Sequence, residues 1–552
     1  MIYWPAQTHG LNFYECDGNL KRFLERSGLS MRWQRMLTDF GSFCGGELDA
    51  QAAYSDRIHP PVLRHEVVDP IHPDQRRGHV YLNPRYEAAQ QELSRRGFLA
   101  SCFAEQILPF VAQYLVSKSD IATGCPFAMT HPVTLLIDRH APADLKARFL
   151  PELLRTDGLA AVGGTWATEK HSGSDIGNTK TSAVHQADGT VRLHGENWFS
   201  SAIGFSRFLA VKTARPNGAP PGGKGIGLYL VPSHIDPNWQ IANDYDVSHL
   251  KEKVGTRGLP TGEVRLTGTL AYELAPAGSG LKRMMEGLGC SRVHNAMGAA
   301  GVMHRALMEA LCWACHRAPF GQRLLEQPMV QKRILDLETE WLSGSALAFE
   351  AARSFGDRQS VWPRVATALA KYKTAEQAVW CTRKALELVG GNGYTEEYPV
   401  ARLFRDAQVL TVWEGPEQIQ ALELMRLITQ DHGDEAYLDR LSAIQDDRLK
   451  LLTNEMKIAL DDLAQNPGAS AVAADEYLQR MADVLAYALL CEESAWELEH
   501  CSDDRKRLFA DRFYERTFVH SIRPKLDVPL LLLGESGAGD ENRTRNQQLG
   551  RL

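Results

Sequence analysis

Apolar and polar positions alternate with three different textures along this chain. Up to about residue 155 the apolar residues recur at helical spacing. Examples are Asn19-Leu-Lys-Arg-Phe-Leu-Glu-Arg, the run around Tyr86-Glu-Ala-Ala-Gln-Gln-Glu-Leu and Phe103-Ala-Glu-Gln-Ile-Leu-Pro-Phe-Val-Ala-Gln-Tyr-Leu. The segment 59–80 breaks the pattern. Its prolines, His59, His65, His72, His79 and the pair Arg76-Arg77 predict an irregular surface loop, with no carboxylate or cysteine at a metal-ligand spacing. From about 156 to 275 the period shortens. Asp188-Gly189 offers φ > 0 residues ahead of Val191-Arg-Leu-His, as a hairpin requires. The runs Phe208-Leu-Ala-Val, Gly227-Leu-Tyr-Leu-Val and Gly262-Glu-Val-Arg-Leu follow between Gly and Pro punctuation. The helical period then returns over 279–316, 328–355, 363–389 and 415–429, lengths that imply an antiparallel bundle. The pattern predicts a mainly α protein with a central β-domain. Its order is an amino-terminal helical domain (1–155), a β-domain (156–278), a helical bundle (279–430), a helical extension (431–533) and a disordered polar tail (534–552).

Composition narrows the class. The 552 residues allow three or four domains, and 44% apolar with 23% charged content is ordinary for globular protein. No uncharged apolar stretch approaches the roughly 18 residues of a membrane span. The first ten residues lack the regions of a signal peptide, and ten scattered cysteines suit a reducing compartment. A cytoplasmic location follows as an expectation. Cys312-Trp-Ala-Cys315-His316 matches the haem-attachment spacing, but Met303, Leu307, Ala310 and Ala314 continue a helix face through it, so these read as helix-core cysteines. The formal charge of −7 is unevenly spread. Residues 431–552 hold 15 basic and 24 acidic residues, a formal −9, and the first 430 residues sum to +2. An acidic extension repels phosphate, which argues against DNA binding. The cluster Arg505-Lys-Arg507 reads as a solvated helix face.

Three glycine-containing loops could carry chemistry. Gly222-Gly-Lys-Gly-Ile-Gly227 lacks the lysine–hydroxyl pair of a phosphate loop and reads as a strand connection. Thr165-Trp-Ala-Thr-Glu-Lys-His-Ser-Gly-Ser-Asp175 brings hydroxyls to the start of the β-domain. Gly390-Gly-Asn-Gly-Tyr394 ends a long helix and by itself could be only a C-cap. No dinucleotide fingerprint follows a strand, which argues against a Rossmann domain.

The segment from that last loop to Gln420 contains Gly390-Gly-Asn-Gly-Tyr394, then Tyr398-Pro-Val, Arg405-Asp406, and Trp413-Glu-Gly ahead of Gln418-Ile-Gln420. Here the sequence resembles the acyl-CoA dehydrogenase family. Four other segments agree in order: RFLPELLRTDGLAAVGGTWATEKHSGSD, GENWFSSA, LKEKVGTRGLPTGEVRL and RAPFGQRLLEQ. CPFAMT at 125–130, Thr-Glu-Lys at 168–170, the long amino-terminal segment and the carboxy-terminal extension resemble the AidB branch of alkylation-response, isovaleryl-CoA dehydrogenase-like members.

The resemblance implies a helical domain, a β-barrel-like domain and a four-helix bundle, with FAD between the last two. It implies α,β-dehydrogenation of an acyl-CoA, part of fatty acid metabolism, with Glu414 as the base that removes the α-proton. On its own residues Glu414 reads as a capping acid at the start of the 415–429 helix. Ser291 stands where some members carry the base instead. The implied FAD contacts in the β-domain are Thr165, Trp166, Ala167, Thr168, Ser174, Phe199, Ser200 and Ser201. In the bundle they are Arg317, Phe320 and Gln327 toward a neighbouring subunit's flavin, with Glu387, Gly390, Gly391, Trp413 and Gln418. Arg292 matches a residue on the CoA side. Phe199 stands where the family has tryptophan, and Pro416 where it has a hydroxyl residue after Glu-Gly. The implied partners are an electron-transferring flavoprotein and further copies of the chain, as a dimer of dimers (a homotetramer). The alternative implied by the AidB branch is a flavin-containing DNA-binding protein with little turnover. No metal site is expected.

Overall fold

The computed structural model describes residues 8–519; the expected tail at 534–552 lies outside them. In chain order the elements are α1 (Gly18–Arg26), α2 (Met31–Phe43), α3 (Asp49–Arg57), β1 (Val62–Asp69), β2 (His72–Tyr81), α4 (Pro84–Arg95), α5 (Leu108–Ser119), α6 (Ile121–His140) and α7 (Ala143–Leu153). The strands β3 (Val162–Trp166), β4 (Ser182–His185), β5 (Val191–Ser201), β6 (Phe208–Pro216), β7 (Gly227–Pro232), β8 (Tyr245–Leu250) and β9 (Thr261–Ala275) follow. Then come α8 (Gly280–His316), α9 (Pro328–Ser354), α10 (Trp362–Val389), α11 (Pro399–Val412), α12 (Glu417–Asp431), α13 (Gly433–Ser442), α14 (Asp447–Gln465), α15 (Pro467–Ser470), α16 (Ala474–Cys501) and α17 (Arg505–Phe518). The central β region and the helical flanks make the chain mainly α with a central β-domain. Among the described residues two compact units emerge, one of residues 50–113 and 120–291, the other of 8–49, 114–119 and 292–519.

The first of these units contains the sheet. Strands β6, β4, β5, β9 and β7 pair in that order and β7 pairs back onto β6, so the ladder closes. Closure leaves those strands no free edge to pair with another chain. β3 runs parallel to β6 and β8 lies antiparallel to β9, both outside the circuit. Leu209, Val211, Leu228 and Leu230 from the sheet pack with Val133, Leu136 and Ile137 of α6 and Phe149 of α7. The sequence Val162-Gly-Gly-Thr-Trp166 makes this packing possible. A Cβ at Gly163 would stand 2.6 Å from the Thr130 Cα of α6, and the Gly163 N–H donates to Thr130 Oγ1 at 2.9 Å.

The expected loop at 59–80 is instead the hairpin β1–β2, in register from Val62 opposite Tyr81 to Val67 opposite Arg76. Its backbone ladder satisfies the main chain whatever the side chains are. Much of both its faces is exposed, so no apolar alternation marks it in the sequence. The Gly78 N–H donates to Asp246 Oδ1 at 2.8 Å, and Arg77 pairs with Asp244 at 2.7 Å, which anchors the hairpin beside β8.

In the second unit, buried charge joins segments far apart in sequence. Asp17 caps α1 by accepting from the Leu20 N–H, and its other oxygen receives Lys118 Nζ (2.5 Å) and the Tyr114 hydroxyl (2.7 Å), with His304 Nδ1 at 2.9 Å. Arg305 donates to both oxygens of Asp49 (2.9 and 3.2 Å) and to Glu309 (2.8 Å). These groups are buried, so removing one member would strand its partner at a cost of about 3–5 kcal/mol. The bundle helices α9, α10 and α12 pack against α16 of the extension. The Arg505-Lys-Arg507 cluster departs from the solvated face expected of it. Lys506 is buried against Glu493 (2.7 Å), Glu497 (2.8 Å) and Asn19 (2.5 Å), while Arg507 meets Asp446 and Asp511. Glu493 and Glu497 of α16 draw Lys506 inward. The cysteines of Cys312-Trp-Ala-Cys315 lie in α8, and none of the ten cysteines forms a disulfide.

Because α6 leaves no room at Gly163, we expect Gly163→Ala to destabilise the sheet-containing unit by about 1–3 kcal/mol, as overpacked cores do. Thermal melting of the variant beside wild type measures this.

Candidate active site

β3 ends at Trp166, and the chain then turns through Ala167 and Thr168. The Trp166 ring is buried edge-on to Tyr245 and against Phe208, so only its backbone faces the loop. The Thr168 carbonyl accepts from the Trp198 N–H at 2.8 Å, which draws the loop beside the end of β5. Phe199 follows immediately and is 50% exposed, with the Lys251 ammonium 5.3 Å from its ring centre. Ser201 is half-buried next to it. Ser200 is buried. Strand alternation turns it inward, and its hydroxyl accepts from Asn197 Nδ2 at 2.9 Å.

Glu169, one residue on, organises the loop that carries Ser174. Its carboxylate takes the buried Lys212 ammonium (3.0 Å), the Thr181 hydroxyl (2.6 Å), the Thr179 hydroxyl, and the N–H groups of Lys180 (2.6 Å) and Thr181 (3.1 Å). Burial alone would raise its pKa. The Lys212 cation and these donors outweigh it, so the carboxyl falls to about 2. Ser174 stands exposed on this loop. Neither Glu169 nor Lys212 is among the residues expected from the sequence. A lysine inside the apolar run Phe208-Leu-Ala-Val-Lys212-Thr-Ala was the available signal, since a buried cation requires a partner.

The other unit holds Glu414. α11 closes with Trp413 as its C-cap; Glu414 (φ +62°) and Gly415 (φ +98°) are both left-handed, and Pro416 (φ −66°) caps α12. A left-handed glutamate costs about 1–3 kcal/mol and persists only where its surroundings over-determine it. Here three side chains do so. Arg292 Nε donates to the Glu414 carbonyl (3.0 Å), Gln420 Nε2 to the Glu414 (3.0 Å) and Gly415 (3.1 Å) carbonyls, and Lys371 Nζ to the Gly415 carbonyl (2.6 Å). The Glu414 Oε2 atom is shielded from solvent. Arg292, expected on the CoA side, is buried beneath this turn.

The remaining expected residues are spread over exposed and half-buried positions of this unit. Arg317 is exposed with its guanidinium over the Trp313 ring, and Phe320 is fully exposed on a left-handed backbone (φ +59°). Gln327 donates to Gln322 at 3.1 Å. Glu387 is exposed and paired with Arg383 (2.7 Å) and Lys384 (2.8 Å). Gly390 (φ +73°) caps α10, and Gly391 has open space where a Cβ would stand. Trp413 is half-buried and Gln418 exposed. A cavity of about 120 Å³ lies at the opposite end of β3, lined in part by Gln90, Phe127, Thr130 and Phe205, and holds none of the expected residues.

Comparison with known proteins gives this arrangement its class. Residues 164–269 match the acyl-CoA dehydrogenase middle domain and 278–429 the acyl-CoA dehydrogenase C-terminal domain. The chain belongs to the acyl-CoA dehydrogenase family, oxidoreductases that bind FAD. It is 30% identical to "Probable acyl-CoA dehydrogenase YngJ" of Bacillus subtilis, over 48% of this chain and 68% of that one. AidB of Escherichia coli is 27% identical over 78% of this chain and 80% of its own. The crystal structure of Caenorhabditis elegans ACDH-11 in complex with C11-CoA superposes with a TM-score of 0.81 at 25% identity, covering 95% of this chain and 94% of that one.

FAD needs a flat apolar surface for its ring system and polar donors along its length. A half-exposed aromatic beside a turn of hydroxyl residues, with an exposed serine on a rigid loop, fits that need in the sheet-containing unit. Phe199, Thr168, Ser201 and Ser174 supply those features.

The pKa of Glu169 is lowered from 4.5 to about 2, so its pairing stabilises the fold above about pH 4.5, and that contribution is lost as pH falls toward 2. Wild type should melt higher than Glu169→Gln at pH 7, with the gap in Tm narrowing progressively below pH 4.5.

Proposed function

We propose that this chain catalyses the α,β-dehydrogenation of an acyl-CoA thioester to the trans-2-enoyl thioester, with Glu414 as the base. The observation that carries this reading is the over-determined turn. A glutamate held left-handed by three separate side chains, its Oε2 withdrawn from water, is a carboxylate whose position has been preferred over local backbone comfort.

The chemistry runs as a paired loss. The α-proton passes to the Glu414 carboxylate, the electrons of the breaking C–H bond form the new double bond, and the β-hydrogen departs with its electron pair. FAD, when bound, supplies the acceptor of that hydrogen at its N5 position. The shielded carboxylate makes proton removal feasible by holding the base at one place and limiting water around it. Thr168, with the neighbouring backbone of Thr165, Trp166 and Ala167, would flank the flavin ring, with Phe199 against its face. Phe199 in place of tryptophan offers a smaller stacking surface. Pro416 removes an N–H and a hydroxyl beside the base and stiffens the run from Gly415 into α12.

Electrons would leave to an electron-transferring flavoprotein. The chain would assemble as a dimer of dimers, as the family resemblance implies; Arg317 and Phe320, both exposed, match residues that reach a neighbouring subunit's flavin. The DNA-binding reading finds less support. The cationic cluster of the extension is consumed by Glu493, Glu497, Asp446 and Asp511, and phosphate affinity depends on free cations.

Two measurements test the reading. Purified protein should be yellow, and anaerobic addition of butyryl-, octanoyl- or palmitoyl-CoA should bleach the flavin. Glu414→Gln should slow bleaching by about 10²–10⁴-fold, the range for losing a general base. Bleaching by none of the three, together with salt-sensitive retention on DNA, would favour the other reading. In sedimentation the chain should run larger than 61.5 kDa, and Phe320→Ser should shift it toward the monomer.

A further inference from the structure

Among the groups that hold the Glu414 turn, Lys371 has a different chemistry from the others. It lies on the buried face of α10, in line with Thr367, Thr374 and Ala378, and is only 1% exposed. Burying an ammonium is costly unless its charge is answered. Two carbonyls answer it: Gly415 at 2.6 Å and Thr411 at 3.3 Å. Thr411 belongs to the last turn of α11, where carbonyls lack helical partners and the helix dipole favours a cation. Arg292 and Gln420 reach the turn alone, whereas Lys371 bonds both the end of α11 and the strained turn behind it.

We propose that Lys371 is a positioning residue for the Glu414 base: its ammonium ties the end of α11 to the Gly415 carbonyl and so fixes the left-handed turn from which the carboxylate acts. The proposal rests on the reading of Glu414 as the base. A neutral side chain of similar length would fill the space without bonding either carbonyl, leaving the turn held only by Arg292 and Gln420 and cut loose from the end of α11.

The charged groups acting on Lys371 are Glu414, Arg292 and, on its own helix, Glu376. Burial draws the lysine down to about 8, against the pull of Glu414 and Glu376, with Arg292 acting alongside burial. The ammonium is therefore present at neutral pH and is lost as pH rises through about 8.

The test uses the full-length FAD-loaded protein with Lys371→Met, Lys371→Arg and Glu414→Gln. Hydrogen–deuterium exchange needs no substrate. Lys371→Met should speed amide exchange in peptides covering 411–420, with little change elsewhere. Deuterium uptake at the α-carbon of octanoyl-CoA in D₂O, followed by NMR, reads the base itself. It should fall about 10- to 100-fold in Lys371→Met, the scale of a small misplacement, while Lys371→Arg should recover most of it. The pH profile separates positioning from packing. Wild type should lose rate above about pH 8. Lys371→Met should lack that limb, and Lys371→Arg should hold its rate through pH 9. Unchanged exchange at 411–420, or α-deuteration in Lys371→Met within twofold of wild type, would overturn the proposal. Full α-deuteration in Glu414→Gln would instead overturn the assignment of the base, and the 411–420 exchange would still report on the turn.

Discussion

Two left-handed residues in succession, Glu414 and Gly415, are the constraint around which the helical unit is arranged. A glycine there is permissive, but a glutamate is not. Its conformation is maintained because the carbonyls of the turn are bonded by Arg292 of α8, Lys371 of α10 and Gln420 of α12. Three helices therefore must hold their relative positions for one short turn to exist. Long-range packing converges on the place where backbone strain is stored, and the stored strain fixes where a carboxylate sits.

The sheet-containing unit uses the same logic with a different donor set. Glu169 and Lys212 form a buried pair whose remaining valences are filled by Thr179, Thr181 and the Lys180 N–H. The pair pins a loop that would otherwise have only turn hydrogen bonds to order it. Beside it, Gly163 lets α6 seat on β3, which sets the height at which Thr168 meets the end of β5. Phe199 is left half-exposed by an otherwise closed sheet.

Charge placement also explains the extension. The acidic surplus of residues 431–552 includes acids that face inward, where Glu493 and Glu497 surround Lys506 and Asp483 meets Lys373 at 2.5 Å. Arg22 of α1 reaches Glu497 and Asp503 in turn. The extension is thus joined to α1 and the bundle by ion pairs as well as by apolar contact.

Sequence periodicity alone determined the mainly helical chain with a β-rich middle, and placed α8, α9 and α10 within a residue or two, because long amphipathic runs carry a strong periodic signal. The short motifs also pointed to the family and to Glu414. Periodicity missed β1 and β2, much of whose two faces is exposed, so that they bear no alternation. It missed α11, which lies inside the motif-rich stretch from Gly390 to Glu414. Only the tertiary structure decided that Ser200 turns inward, that Arg292 supports a turn, that Lys506 is buried, that Glu169 pairs with Lys212, and that Lys371 bonds the Thr411 and Gly415 carbonyls. Each of those outcomes depends on which atoms of distant segments meet, and a one-dimensional pattern records the polarity of a residue without recording its partner.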